Sequence, residues 1–136
     1  MAIRTRSLIL ASAAVEAGTG LALLLLPRLV VRALLGTGLS RSGVATSRVA
    51  GLALVSLGVA CWPETAARPA SSDLPPFRAL FVYNGLATAY LASLRARGGY
   101  RGIALGPATA FHAVMTALFA THSRTPRSAS PLPPAR

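Results

Sequence analysis

With 136 residues, 53% hydrophobic and 12% charged, the chain fits one domain and lies far from the roughly 25% charged content of soluble globular domains. Fourteen basic residues against three acids give a net charge of +11, yet the arginines stand singly or in small groups between apolar runs with no basic aromatic stripe, which argues against nucleic acid as a partner. One cysteine, Cys61, excludes an internal disulfide and a CxxC redox or zinc pair.

The first apolar run, 8–26, spans about 28 Å as a helix, close to a hydrocarbon core of roughly 30 Å. Arg4, Arg6 and the small residues at 11–13 would also suit a signal peptide, but the run continues through "LALLLL", past a usual h-region, so a retained span is expected. Next, "PRLVVRALLG" reads as a short interfacial helix. Pro27 opens it, Arg28 and Arg32 share one face, Val30, Val31, Leu34 and Leu35 form the other, and Gly36 ends it. The alternative is a first helix that continues past a kink. A second run, 43–62, ends on Trp62, a residue suited to the interfacial belt.

Segment 63–77, "PETAARPASSDLPPF", gathers four prolines and every acid except Glu16, and is expected as an extended solvent loop. A third run, 79–94, is bracketed by Arg78 and Arg95, whose stems can snorkel outward. "RARGGYR" turns tightly through Gly98 and Gly99 into a fourth run, 102–121, with Pro107 in its second turn, where a kink is expected. The tail, 122–136, has four prolines and no periodicity, so disorder is expected. The expected fold is all-α: one membrane domain over 1–121, a four-transmembrane-helix bundle with an interfacial helix after the first span. Arginines divide seven to seven between its two sides, so both termini are assigned to the cytoplasm by the habit of four-span bacterial proteins and not by charge.

Four polar residues fall within the runs. Glu16 lies near the middle of the first, where a carboxylate costs roughly 2.5–3.5 kcal/mol on insertion scales and each Leu, Ile or Val returns about 0.3–0.6. The neighbouring aliphatics offset that cost, but Glu16 still needs a partner cation or a proton. Asn84 and His112 sit at similar depth, and Arg48 lies about 9 Å away along the membrane normal, within reach of its long stem. Glu16, Arg48, Asn84 and His112 therefore make a candidate buried polar cluster.

Helical spacing supports this. Ser12, Glu16 and Gly20 share a stripe, as do Asn84 and Thr88, and Thr109, His112 and Thr116, while Ser47, Gly51 and Gly58 form a small-residue face. Plainer roles are a structural Glu16–Arg48 pair, snorkelling for Arg48, interhelical hydrogen bonding for Asn84 and a satisfied interior position for His112. There is no phosphate loop, HExxH or GxSxG motif and no second carboxylate in the runs, and His112 and His122 are ten residues apart on one helix, unsuited to joint haem ligation. No enzyme activity, cofactor or metal is expected.

"EAGTGLALLLLP", "RVAGLALVSLGVACWP", "YNGLATAYLA" and "HAVMTALF" together resemble a group of small four-helix bacterial membrane proteins, similar in general architecture to the DoxX-like proteins. The resemblance covers most of 8–120 and implies association with membrane redox or stress systems. "ASAAVEAGTG" is also similar to the first helix of small multidrug transporters, whose membrane Glu binds protons and cationic drugs competitively. There Glu16 would be the carried-over residue, but the second run lacks that family's proline-and-aromatic segment and Arg48 opposes cations. The expected function is a non-enzymatic structural or accessory component of a bacterial inner-membrane system, touching anionic headgroups and a second copy of itself or a membrane partner protein. Two alternatives stay open: a proton-coupled carrier of a small solute that uses Glu16, and a subunit of a quinone-linked redox system.

Overall fold

A computed structural model describes residues 2–63 and 74–123, with side chains from Thr5 onward. The described residues form five helices and no strand: α1 (Ala2–Leu25), α2 (Pro27–Leu35), α3 (Arg41–Ala60), α4 (Leu74–Ala96) and α5 (Leu105–Ser123). Most of the expected loop, 64–73, and most of the expected disordered tail, 124–136, lie outside the described residues.

Helix α2 is a separate element and not a continuation of α1. A residue before proline is pushed out of the helical region, and Leu26 sits at φ −129°, ψ 50°. Pro27, with no N–H to satisfy, then starts α2. Gly36, at φ 75°, ends it by donating its N–H to the Arg32 carbonyl at 2.8 Å. Helix α3 starts at a Ser40 cap, whose hydroxyl accepts from the Gly43 N–H at 3.0 Å.

Two expected boundaries need correction, both at prolines. Helix α4 begins at Leu74 instead of 79, because Pro75 and Pro76 occupy the first turn, where an N–H has no intrahelical acceptor. Its early start brings Phe77 out of the expected loop and edge-on to Phe119, with ring centroids 5.0 Å apart. Helix α5 begins at Leu105 instead of 102, so Pro107 lies in the first turn, removes no helical hydrogen bond and supplies no cause for a kink.

Helix α1 packs along α3, α4 packs along α5, and the two pairs meet through α1. The α1–α3 seam depends on glycine. A Cβ on Gly20 would lie 2.6 Å from the Gly51 carbonyl oxygen, and one on Gly58 would lie 2.7 Å from that of Ala13. Such close backbone approach is the usual adhesive between helices in lipid. Ile9, Ala13, Cys61, Leu80, Met115 and Phe119 form one buried apolar layer, and Leu91, Leu94 and Leu105 form another beneath α2. Ser12, Glu16 and Asn84 are buried between the two layers.

Outward faces are apolar on every long helix, with Leu21, Leu52, Val59, Leu86, Val82 and Val114 each more than half exposed. Thr5–Leu25 and Arg41–Ala60 are long and apolar enough to cross a membrane, and only 28% and 11% of their most apolar windows are buried, unlike the core helix of a soluble domain. Helices α4 and α5 do not pass the same test. Their lengths suffice, but Arg78, Tyr83 and Asn84 in α4 and His112 and His122 in α5 dilute their apolarity. The expected four spans are therefore two by length and composition.

Candidate functional site

Three of the four polar residues singled out in the sequence converge. Asn84 is the hub. Its side-chain N–H groups donate to the Leu80 carbonyl at 2.8 Å and to the Ser12 hydroxyl at 2.9 Å. A carbonyl can only accept, so the amide orientation is fixed and its oxygen faces His112 Nδ1 at 2.8 Å. That nitrogen must carry the hydrogen, which selects the Nδ1–H tautomer in neutral His112. One Asn thereby ties α1 and α5 to α4.

Glu16 enters from α1, one turn beyond Ser12, and is 1% exposed. Its Oε1 lies 3.9 Å from His112 Nδ1, about 1 Å longer than a hydrogen bond. Among the described residues, Oε1 is the buried side-chain polar atom left without a hydrogen-bond partner. The Tyr83 hydroxyl lies beside the Glu16 carboxyl group. His112 packs edge-on to Tyr83 and Phe111, at centroid distances of 5.8 and 5.4 Å, and keeps 12% of its side chain exposed. The imidazole thus reaches the bundle surface while the carboxyl group does not.

Arg48 does not join them. It is exposed on α3, and no ion pair links it to Glu16. The reason is rotational: Gly51 and Gly58 turn toward α1 in the tight seam, and Arg48 falls on the flank of that face. Spacing along the sequence fixes depth in a helix but not the angle around it that packing selects.

The threonines of the expected stripes serve the backbone. Thr88, Thr109 and Thr116 donate to the carbonyls of Asn84, Leu105 and His112, each one turn earlier, at 2.6–2.8 Å. Tyr83 is the site residue that sequence reasoning missed. Its signal was a phenol beside Asn84 at mid-helix depth, away from the interfacial positions where Tyr is usual. The described residues hold no group of three His, Cys, Asp or Glu placed to bind a metal ion.

No family model, curated protein or solved structure matches the chain. The site holds a buried carboxyl group with one bare oxygen, a phenol beside it, and an oriented imidazole just out of hydrogen-bond reach. Such a set is suited to holding and passing a proton.

Proposed function

We propose that this chain is a non-enzymatic, multi-span protein of the bacterial cytoplasmic membrane, in which Glu16 exchanges a proton through His112: Nε2 takes up a proton as the Nδ1 hydrogen passes to the carboxylate, and the transfer reverses on release. All four long helices cross the bilayer in this reading, α2 lies at the interface, and anionic headgroups meet the arginines. The multi-span reading is supported by the inverted burial pattern, with Ser12, Glu16 and Asn84 inside and large aliphatic side chains outside on α1, α3, α4 and α5. Asn84, Tyr83 and His112, which dilute the apolarity of α4 and α5, face the bundle and not the lipid.

The observation that carries the proton reading is the bare Glu16 Oε1, 3.9 Å from His112 Nδ1. The structural role expected for Glu16 is a pair with Arg48, and Arg48 is elsewhere, which leaves a proton to neutralise the buried carboxyl group. The titratable groups that face Glu16 are Tyr83 of α4 and His112 of α5, while α3 turns glycine and Val55 toward α1. A DoxX-like affiliation is compatible with this four-helix reading and belongs to the same proposal.

The test is labelling of the membrane-embedded protein with dicyclohexylcarbodiimide, which attacks protonated carboxyl groups in apolar surroundings, read by mass spectrometry from pH 5 to 9. Wild type is expected to label at Glu16 with a yield that falls as pH rises, Glu16→Gln to remain unlabelled, and His112→Gln to move the midpoint. Labelling of Glu16 that is absent or flat across the range would overturn the proton reading. Release of the chain from membranes by alkaline carbonate would overturn the membrane reading.

A further inference from the structure

At the α2 end of the bundle, the turn between α4 and α5 is locked against the last turn of α2. The Arg101 N–H donates to the Leu35 carbonyl at 3.3 Å and the Ala104 N–H to that of Ala33 at 2.8 Å. Gly102 fits so closely that a Cβ there would lie 2.3 Å from the Leu34 backbone. This junction leaves an open cavity of about 330 Å³ lined by Leu29, Arg32, Gly36, Arg101, Gly102 and Ile103. Two arginines, Arg32 and Arg101, are among its lining residues. Leu29 and Ile103 are 62% and 87% exposed beside it.

Charge at this end is one-sided. The acid among the described residues is Glu16, buried in the middle of the bundle. Among the described residues no carboxylate pairs with Arg32 or Arg101. An occupant must therefore bring an anion that matches planar guanidinium forks, together with apolar surface for two bare aliphatic side chains. A phosphodiester attached to acyl chains supplies both.

We infer that the cavity between α2 and the α4–α5 turn is a binding site for an anionic phospholipid. Arg32 and Arg101 hold the phosphate, and the acyl chains run along Leu29 and Ile103. This inference rests on the membrane reading above. It goes further by assigning one resident lipid to a fixed junction, where the membrane reading has only diffuse attraction of arginines to headgroups.

The test is native mass spectrometry of the purified full chain in mild detergent, with phosphatidylglycerol or phosphatidylcholine added. Wild type is expected to retain phosphatidylglycerol in preference. Arg32→Gln and Arg101→Gln are each expected to weaken retention about 5-fold, and the double variant about 25-fold, as for roughly 1 kcal/mol per surface arginine. Arg78→Gln, at the far end of α4, should leave retention unchanged, and Leu29→Ser with Ile103→Ser should weaken it with both arginines present. Glycerophosphoglycerol, the headgroup without chains, should not compete. Undiminished retention in the double arginine variant, an equal loss in Arg78→Gln, or displacement by glycerophosphoglycerol would each overturn the site, the last by making the ligand a soluble phosphate ester. Carbonate extraction of the same variants separates the two failures: a chain released from membranes fails the membrane reading, whereas an embedded chain that binds lipid without these arginines fails only the site.

Discussion

Asn84 is where the bundle is most exposed to a single substitution. Its side chain is fully buried and makes two bonds that cross between helices, to Ser12 of α1 and to His112 of α5. Interhelical hydrogen bonds in membrane proteins average about 0.6 kcal/mol and reach roughly 1.7. Asn84→Ala removes both and leaves the His112 N–H and the Ser12 hydroxyl short of a partner, so a loss of about 1–3 kcal/mol is expected. Part of any loss comes from the space left behind, which a double-mutant cycle removes. In the cycle of Asn84→Ala with His112→Ala, measured by reversible unfolding in mixed micelles followed by circular dichroism, a coupling of about 0.6–1.7 kcal/mol is expected. Coupling below about 0.3 kcal/mol, the range of independent sites, would refute the hub role given to Asn84.

The α1–α3 seam makes a sharper contrast within one residue type. Gly58→Ala places a methyl group 2.7 Å from the Ala13 oxygen and 2.8 Å from the Ala17 Cβ, neither of which can swing aside, so the same unfolding assay should show a loss of about 1–3 kcal/mol. Gly18→Ala, with nothing within 4 Å of the new atom, should be neutral or gain up to about 1 kcal/mol from helix propensity; equal stability of the two variants would show that the seam is not as tight as described. Arg48→Gln should change stability by no more than about 0.5 kcal/mol, whereas a loss above about 3 kcal/mol would indicate the buried Glu16–Arg48 pair that the structure does not form.

Length and apolarity made the helical class and the number of elements legible, because a run of apolar residues between prolines, glycines and arginines has few other ways to satisfy its backbone. Helix starts were less legible. Pro75, Pro76 and Pro107 were read as loop or kink residues, yet the first turn of a helix tolerates proline, and only contacts such as Phe77 on Phe119 decide which applies. The site was legible along one coordinate. Counting residues gives depth, which groups Glu16, Asn84 and His112 with Arg48 nearby, but each residue also carries an angle of 100° from its neighbour, and packing sets which angle faces inward. Arg48 and Tyr83 are the two errors of that kind. The glycine seam turned Arg48 out, and the α4–α5 pairing turned Tyr83 in beside Asn84.

The two helix pairs hold by different forces, and this decides where a proton on Glu16 would be felt. The α1–α3 seam is backbone against backbone at Gly20, Gly51 and Gly58. The joint between α1 and the α4–α5 pair passes through Ser12 on Asn84 and Glu16 beside Tyr83 and His112, so each ionisable member sits on a different helix. Gain of a proton by Glu16 converts its bare oxygen from an unmatched acceptor into a donor, and gain by His112 places a cation 3.9 Å from it. Either event alters attraction across the joint and leaves the seam untouched. A change in protonation therefore acts on how α4 and α5 sit against α1, while α1 and α3 stay fastened to each other.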